Sequence, residues 1–181
     1  MSLAGLQQKH FRAIMIDMPT KFYAGTKGRP QHYGRMSEAQ LRRLPIDELA
    51  HPEGCWAFVW TTSPRLHLVF DIVKCWGFRY SARGFVWIKT NGTGLHMGQG
   101  YTTRKNAEDC LLFRTGSPVR ISKKVHEVII SPVREHSRKP VEAFERVEQF
   151  CPGPYLELFS REGRAGWTSW GDEVGKFKVA A

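Results

Sequence analysis

Short apolar runs of strand length alternate with helical segments along this chain, and that alternation constrains its fold more than any other feature. The runs are residues 11–16, 54–62, 79–90, 108–114, 127–130 and 155–159. Strands that alternate with helices predict a mostly parallel, doubly wound sheet with helices on both faces, an α/β fold. A length of 181 residues suits one domain, assigned here to residues 1–181 with a core at about 11–177 and mobile loops at about 18–36 and 91–107.

Three helices are predicted from their start signals and from the spacing of their apolar residues. Ser37 and Gln40 have the spacing of a capping box, and Pro64 and Pro140 stand at first helical positions. The faces expected to be buried are Leu66, Val69, Phe70 and Val73 in the second helix and Val141, Phe144, Val147 and Phe150 in the third.

The composition is typical of a soluble globular protein, with 41% hydrophobic and 24% charged residues. No apolar run reaches the roughly 18 residues that a membrane span needs, and the first residues lack a signal-peptide pattern, so we expect a cytoplasmic protein. Neither the cysteines nor the histidines have metal-binding spacing, and we expect no metal site. We expect four buried, reduced thiols: Cys55, Cys75, Cys110 and Cys151.

The net charge of +10 is concentrated in two segments, residues 18–43 and 91–140, while the rest of the chain sums to zero. Such segregation favours a surface that binds a polyanion through phosphate contacts, with a solvated basic surface that aids solubility as the alternative. The second segment begins with a glycine-rich stretch, residues 91–105. Its spacing fits no nucleotide-binding loop and favours a hinged lid.

A carboxylate follows the first apolar run directly, in the sequence Asp17-Met18-Pro19-Thr20. Ligands of parallel sheets bind outside the carboxyl ends of the strands, and that rule brings Asp17, Thr61 and Arg161 towards one crevice. The sequence therefore predicts a site at this edge of the sheet.

These four residues resemble the D-P-P-W tetrad of the MT-A70 family of adenine-N6 methyltransferases, most closely its compact bacterial and phage members. Further motifs of the family occur in the same order over residues 11–177. They are 33–37 (YGRMS), 76–78 (WGF), 87–90 (WIKT), 136–140 (HSRKP), 152–154 (PGP), 157–161 (ELFSR), 166–167 (GW) and 170–173 (WGDE). The resemblance implies a Rossmann-like domain of the class I methyltransferase type, which uses S-adenosylmethionine to methylate N6 of adenine in nucleic acid.

The resemblance makes Asp17, Met18, Pro19 and Thr20 the catalytic tetrad. The N6 amine of adenine is a poor nucleophile because its lone pair is delocalised into the ring, so acceptors must hold both N–H groups. Asp17 can accept one, the backbone carbonyl of Met18 can accept the other, and Pro19 stiffens the turn. Direct methyl transfer then needs in-line positioning and loss of a proton, without a nucleophilic cysteine.

Two tetrad positions depart from the family pattern. Met18 replaces a proline but keeps the carbonyl, whereas Thr20 replaces the aromatic residue that stacks on the target base, a contact worth about 1 to 3 kcal/mol. Phe22, Tyr23 or Tyr33 can supply another ring, and Tyr33 is the best placed of them. The expected substrate-binding residues lie in the two loops and are Tyr33, Tyr101 and Arg104.

For the cofactor, the resemblance assigns Lys139 to the carboxylate of S-adenosylmethionine, and Arg161, Asp172 and Glu173 to its ribose. A lysine beside a helix N-terminus makes an anion site, and carboxylates accept hydrogen bonds from vicinal hydroxyls. The prediction is a nucleic-acid adenine-N6 methyltransferase, with DNA favoured over RNA. The alternatives are a catalytically silent nucleic-acid-binding relative that keeps the cofactor and a small-molecule methyltransferase, which the concentrated basic charge disfavours.

Overall fold

A seven-stranded sheet forms the centre of the computed structural model, which describes residues 3–19, 36–98, 102–135 and 138–177. The strands are β1 (Ala13–Asp17), β2 (Gly54–Thr61), β3 (Arg79–Thr90), β4 (Ala107–Gly116), β5 (Val128–Pro132), β6 (Tyr155–Leu158) and β7 (Trp167–Trp170). Their order is β5-β3-β4-β2-β1-β6-β7, and every pairing is parallel except the two that β4 makes with β2 and β3. The mostly parallel α/β architecture expected from the sequence is confirmed.

Three α-helices connect these strands within the described ranges: α1 (Glu38–Arg42), α2 (Leu66–Cys75) and α3 (Val141–Phe150). The capping box is present, because the Gln40 backbone N–H donates to Ser37 Oγ and the Gln40 side chain accepts from the Ser37 N–H. Pro140 is the N-cap of α3 rather than its first residue, and Pro64 lies in a 3-10 turn (Ser63–Arg65) that directly precedes α2.

The helices cover both faces of the sheet. The buried residues of α1 and α2 pack with Ile14, Ile16 and Val59 on one face, and those of α3 pack with Met15 and Phe58 on the other. Full burial of a large apolar side chain is worth about 1.5 to 3 kcal/mol, so these two layers fix the strands in place. The result is a single α/β domain, consistent with a Rossmann-like methyltransferase fold.

Three residues expected to be buried are exposed. Phe70 is 38% exposed and packs edge-on against Tyr80, which is itself exposed near the start of β3, whereas Ile72 of the same helix is fully buried. Val141, the first residue of α3, is also 38% exposed. Cys75 ends α2 at the surface, where its sulfur accepts from Arg42 Nη1 at 3.6 Å, while the other three cysteines are buried as expected.

The antiparallel direction of β4 brings its first residues to the same edge of the sheet as the last residues of the parallel strands. Asp17 ends β1, Lys89 stands next to the end of β3, and Glu108 is the second residue of β4. Asp17 pairs in register with Trp60, near the end of β2. This carboxyl edge therefore collects charged side chains from strands that are far apart in the sequence.

Candidate active site

A chain of alternating charges crosses the carboxyl edge of the sheet. Lys139 Nζ lies 3.0 Å from Asp17 Oδ2 and 2.7 Å from Glu108 Oε1. The other oxygen of that carboxylate, Glu108 Oε2, accepts from Lys89 Nζ at 2.6 Å. Two carboxylates and two ammonium groups thus balance one another, and we call these four residues the carboxyl-edge cluster.

Lys139 is held at the centre of this cluster by its position just before α3. Its side chain is only 8% exposed, and its ammonium group lies 5.5 Å from the centre of the Trp60 ring. Burial alone would lower the pKa of Lys139, but the attraction of Asp17 and Glu108 outweighs burial and raises that pKa. Lys139 is therefore fully charged at neutral pH.

Glu108 is the reciprocal case. Burial alone would raise the pKa of this carboxyl group, but Lys139 and Lys89 outweigh burial and lower the pKa below its usual value. Glu108 is therefore an anion that anchors two lysines, whereas Asp17, with a side chain 34% exposed, is the member of the cluster that is open to the neighbouring space.

Asp17 and Lys139 line an open cleft at this edge of the sheet. Aromatic side chains supply much of its wall: Trp60, Phe144, Phe159 and Phe177. Further charged side chains at the wall are Arg138, Glu157, Arg161 and Glu162. The cleft thus offers flat apolar surfaces together with charges of both signs.

Glu157 projects into this cleft from the middle of β6. Its Oε2 atom lies 2.8 Å from Ser160 Oγ, which in turn lies 2.6 Å from the backbone carbonyl oxygen of Glu162. Burial raises the pKa of Glu157 to about 7, and the nearby charge of Glu162 and Asp17 adds to that rise.

The far end of the cleft is built by the chain that follows β6 and β7. Arg161 Nε lies 3.2 Å from Glu173 Oε2, and the Ser160 backbone N–H donates to the Trp170 carbonyl. A Cβ at Gly171 would come within 2.6 Å of the Ser160 carbonyl oxygen, so only glycine permits this close approach. Asp172, in contrast, is exposed.

An ion network supports the same wall. The Arg138 guanidinium contacts Glu135 and Glu162, and Glu162 also accepts from Arg164 at 2.9 Å. Arg138 lies 5.2 Å from the centre of the Phe177 ring. Because Arg138 immediately precedes Lys139, this network also fixes the backbone that presents Lys139 to the cluster.

Of the residues predicted from sequence, the structure brings Asp17, Lys139 and Arg161 together at one cleft. Met18 is buried next to Asp17, and the Pro19 carbonyl accepts from the Met36 backbone N–H at 2.9 Å. Arg104 is exposed in the connection between β3 and β4. The other predicted substrate residues and alternative rings lie outside the described residues: Thr20, Phe22, Tyr23, Tyr33 and Tyr101.

Two site carboxylates, Glu108 and Glu157, are absent from the sequence prediction. Glu108 directly precedes an apolar segment in residues 108–113 (EDCLLF), and Glu157 interrupts the apolar run 155–159 (YLELF). A buried carboxylate in such a strand is itself a signal of function. The antiparallel direction of β4 is a second reason why Glu108 is absent from the sequence prediction. The rule that ligands bind at the carboxyl ends of parallel strands does not point to a residue at the start of a strand.

Within the described ranges, no cluster of His, Cys, Asp and Glu could hold a metal ion. The same part of the chain contains no helix long and apolar enough to cross a membrane.

A mostly parallel α/β domain with charged side chains at the carboxyl edge of its sheet is consistent with a Rossmann-like methyltransferase fold, because ligands of such sheets bind outside the carboxyl ends of the strands. The chain belongs to the MT-A70 family, whose model matches residues 11–173. It is 31% identical to the human N(6)-adenine-specific methyltransferase METTL4 over 94% of its length, and 27% identical to the type II methyltransferase M.MunI of Mycoplasma sp. over 81% of its length. It is also 26% identical to the human N(6)-adenosine-methyltransferase catalytic subunit METTL3 over 91% of its length.

The chain spans only part of these relatives, namely 39% of METTL4, 62% of M.MunI and 28% of METTL3. The shared region contains the whole described sheet up to β7 and the complete carboxyl-edge cluster. Homology to N6-adenine methyltransferases therefore covers the candidate site itself.

The cleft suits S-adenosylmethionine by the chemistry of its side chains. Lys139 can hold a carboxylate, Asp17 and Glu157 can face cationic groups, and the aromatic wall can pack on a purine ring. Arg161 and Glu173 offer a donor and acceptors of the kind that ribose hydroxyls bind. The residues present thus fit the cofactor that the family uses.

Proposed function

We propose that this protein is an S-adenosylmethionine-dependent adenine-N6 methyltransferase that acts on nucleic acid, with DNA as its substrate. The observation that carries the proposal is the position of Asp17, partly exposed at the mouth of the cleft and 3.0 Å from the buried Lys139. Family membership over residues 11–173 supports the reaction class. The two basic segments support a polyanionic substrate.

In this proposal Asp17 and the Met18 carbonyl accept hydrogen bonds from the N6 amine of adenine. Two hydrogen-bond acceptors on the N6 amine favour localisation of its lone pair on the nitrogen, which makes the amine more nucleophilic. Because the Asp17 carboxylate is already held in place by its neighbours, it need not reorient during the reaction. Pro19 contributes no competing N–H donor. Bound in the cleft, S-adenosylmethionine supplies an electrophilic methyl group.

Lys139 acts as the bridge between the cofactor and the target base. Its ammonium group has three N–H donors, of which two serve Asp17 and Glu108, so a third remains for a carboxylate in the cleft. Glu108 also holds Lys139 and is itself fixed by Lys89. The cluster therefore keeps Asp17 and the cofactor carboxylate at a defined separation.

The direct test is incubation of the purified protein with labelled S-adenosylmethionine and a mixture of DNA and RNA, followed by mass spectrometry of the nucleosides. N6-methyldeoxyadenosine is the expected product. N6-methyladenosine alone would move the substrate from DNA to RNA, and methylation of another atom would contradict the reaction class. Calorimetry should show cofactor binding that is weakened in Lys139→Ala.

A second candidate is a catalytically silent relative that binds nucleic acid and the cofactor. It is favoured by Thr20, which stands where the family has a base-stacking aromatic residue. The variant Thr20→Trp separates the two functions. Methylation that appears or increases in this variant identifies the missing ring as the defect, whereas cofactor binding without methylation in both proteins supports the silent relative.

A further inference from the structure

We propose that Glu157 is a specificity-determining residue that favours the charged cofactor over its demethylated product by releasing a proton when the cofactor binds. This inference rests on the proposed function, because it assumes that S-adenosylmethionine occupies the cleft that Glu157 lines. It concerns the step that every methyltransferase must complete after transfer, which is exchange of the product for fresh cofactor.

The hydrogen bonds around Ser160 favour the protonated form of Glu157 before the cofactor binds. Ser160 Oγ is within hydrogen-bond distance of two acceptor groups, Glu157 Oε2 at 2.8 Å and the Glu162 carbonyl oxygen at 2.6 Å. A hydroxyl group has one proton, and the carbonyl has none to give. Both contacts are full hydrogen bonds only if Ser160 donates to the carbonyl and a protonated Glu157 donates to Ser160 Oγ.

The surroundings of Glu157 favour the same uncharged state. Its neighbours in register, Met15 on β1 and Ser169 on β7, carry no charge. Asp17 and Glu162 oppose its ionisation, and of the nearby cations Arg164 already pairs with Glu162. Burial raises the pKa of Glu157 to about 7, so the proton is present in roughly half of the molecules at neutral pH.

The remaining cations at the cleft wall are committed to other anions. Arg138 contacts Glu135 and Glu162, Lys139 contacts Asp17 and Glu108, and Arg161 contacts Glu173. A new positive charge in the cleft is therefore what most favours ionisation of Glu157.

The two ligands differ by one such charge. S-adenosylmethionine contains a sulfonium ion, and its product contains a neutral thioether, while the ammonium and carboxylate groups are common to both. A sulfonium beside Glu157 lowers the pKa of the carboxyl group, and linkage then requires cofactor binding to expel a proton. The neutral sulfur of the product does not lower the pKa of Glu157, so product binding releases no proton. The ratio of cofactor affinity to product affinity therefore rises with pH.

The test is calorimetric binding of each ligand between pH 6 and pH 8, in pairs of buffers with different ionisation enthalpies. Because the pKa of Glu157 is about 7 before the cofactor binds, we expect the cofactor to bind about tenfold more tightly at pH 8 than at pH 6. At pH 7, binding should release about half a proton per molecule. Product binding is expected to change less than about threefold. Glu157→Gln should remove the difference, and Glu145→Gln, an exposed carboxylate on α3, should keep it.

Each outcome decides the inference. A pH slope that persists in Glu157→Gln would assign the proton to another group, and equal slopes for both ligands would show that Glu157 does not sense the sulfonium; either overturns the proposal while leaving the proposed function intact. Binding of neither ligand to the folded wild-type protein would instead contradict the cofactor assignment, and with it this inference. Circular dichroism of both variants verifies that they are folded.

Discussion

Asp17 and Glu108 hold one ammonium group between them, that of Lys139, at 3.0 and 2.7 Å. The two carboxylates come from strands that run in opposite directions, and they differ in exposure, with Asp17 at 34% and Glu108 at 10%. This difference separates their roles: the buried anion fixes the lysine, and the more exposed anion is left to meet a ligand.

Asp17→Asn is expected to lower the methylation rate about 100-fold or more, because an amide is a weaker acceptor than a carboxylate at the position where charge develops. Oligonucleotide binding and the melting temperature should change little, since Lys139 retains Glu108. A radiometric methylation assay measures the rate. Asp109→Asn is the matched control, because Asp109 lies beside Glu108 but pairs with Arg83 at 3.4 Å outside the cluster. Equal turnover in Asp17→Asn and wild type would place the active site elsewhere.

Glu108→Gln is expected to destabilise the protein by about 3 to 5 kcal/mol at neutral pH, because it leaves two lysines without their shared buried anion. The pKa of Glu108 is lowered by folding, so its contribution is complete above the unfolded pKa of about 4.3 and is lost as the pH falls further. The stability difference between variant and wild type should therefore be largest above about pH 5 and shrink towards pH 3. Urea unfolding at several pH values measures it, and a difference independent of pH would contradict the ion-pair assignment.

Replacement of Arg104 and Lys105 by alanine is expected to weaken oligonucleotide binding and leave cofactor binding unchanged. Each phosphate contact contributes about 0.7 to 0.9 to the slope of log affinity against log salt, so the double variant should flatten that slope by up to about 2. Fluorescence anisotropy across a salt series measures the slope. Lys74→Ala is the control, because Lys74 is exposed near the end of α2, at the edge of the sheet opposite the cleft. A slope that changes equally in both variants would argue against a specific nucleic-acid surface.

Cys75 is expected to react with a thiol reagent in the folded protein, whereas the other three cysteines react only after unfolding. Cys75 is exposed at the end of α2, and burial raises the pKa of Cys55, Cys110 and Cys151, which suppresses their thiolate forms. Counting modified thiols by mass spectrometry, with and without denaturant, gives the result. More than one modified cysteine under native conditions would show that the core opens readily.

Apolar runs and helix caps were sufficient to predict the strand series, the capping box at Ser37 and the position of Asp17 at the end of β1. Each of those features depends on residues that are close together in the sequence, so the sequence alone predicts them. The direction of β4 depends on which neighbours it joins, and without that direction Glu108 is an ordinary residue at the start of a strand. β7 was missed for a similar reason, because the Trp167–Trp170 segment alternates aromatic and small polar residues and becomes a strand only by pairing with β6.

The ion pair between Lys89 and Glu108 also joins the two ends of one loop, because β3 and β4 are antiparallel neighbours and residues 91–106 connect them. The Lys89 backbone N–H donates to the Asn106 carbonyl at 2.8 Å, which closes the same base a second time. A loop clamped in this way can be exchanged, lengthened or shortened without displacing the residues below it. The two contacts hold the ends of the loop independently of its interior residues. A chimera that carries the corresponding loop of a relative is therefore expected to keep the cleft and the carboxyl-edge cluster unchanged.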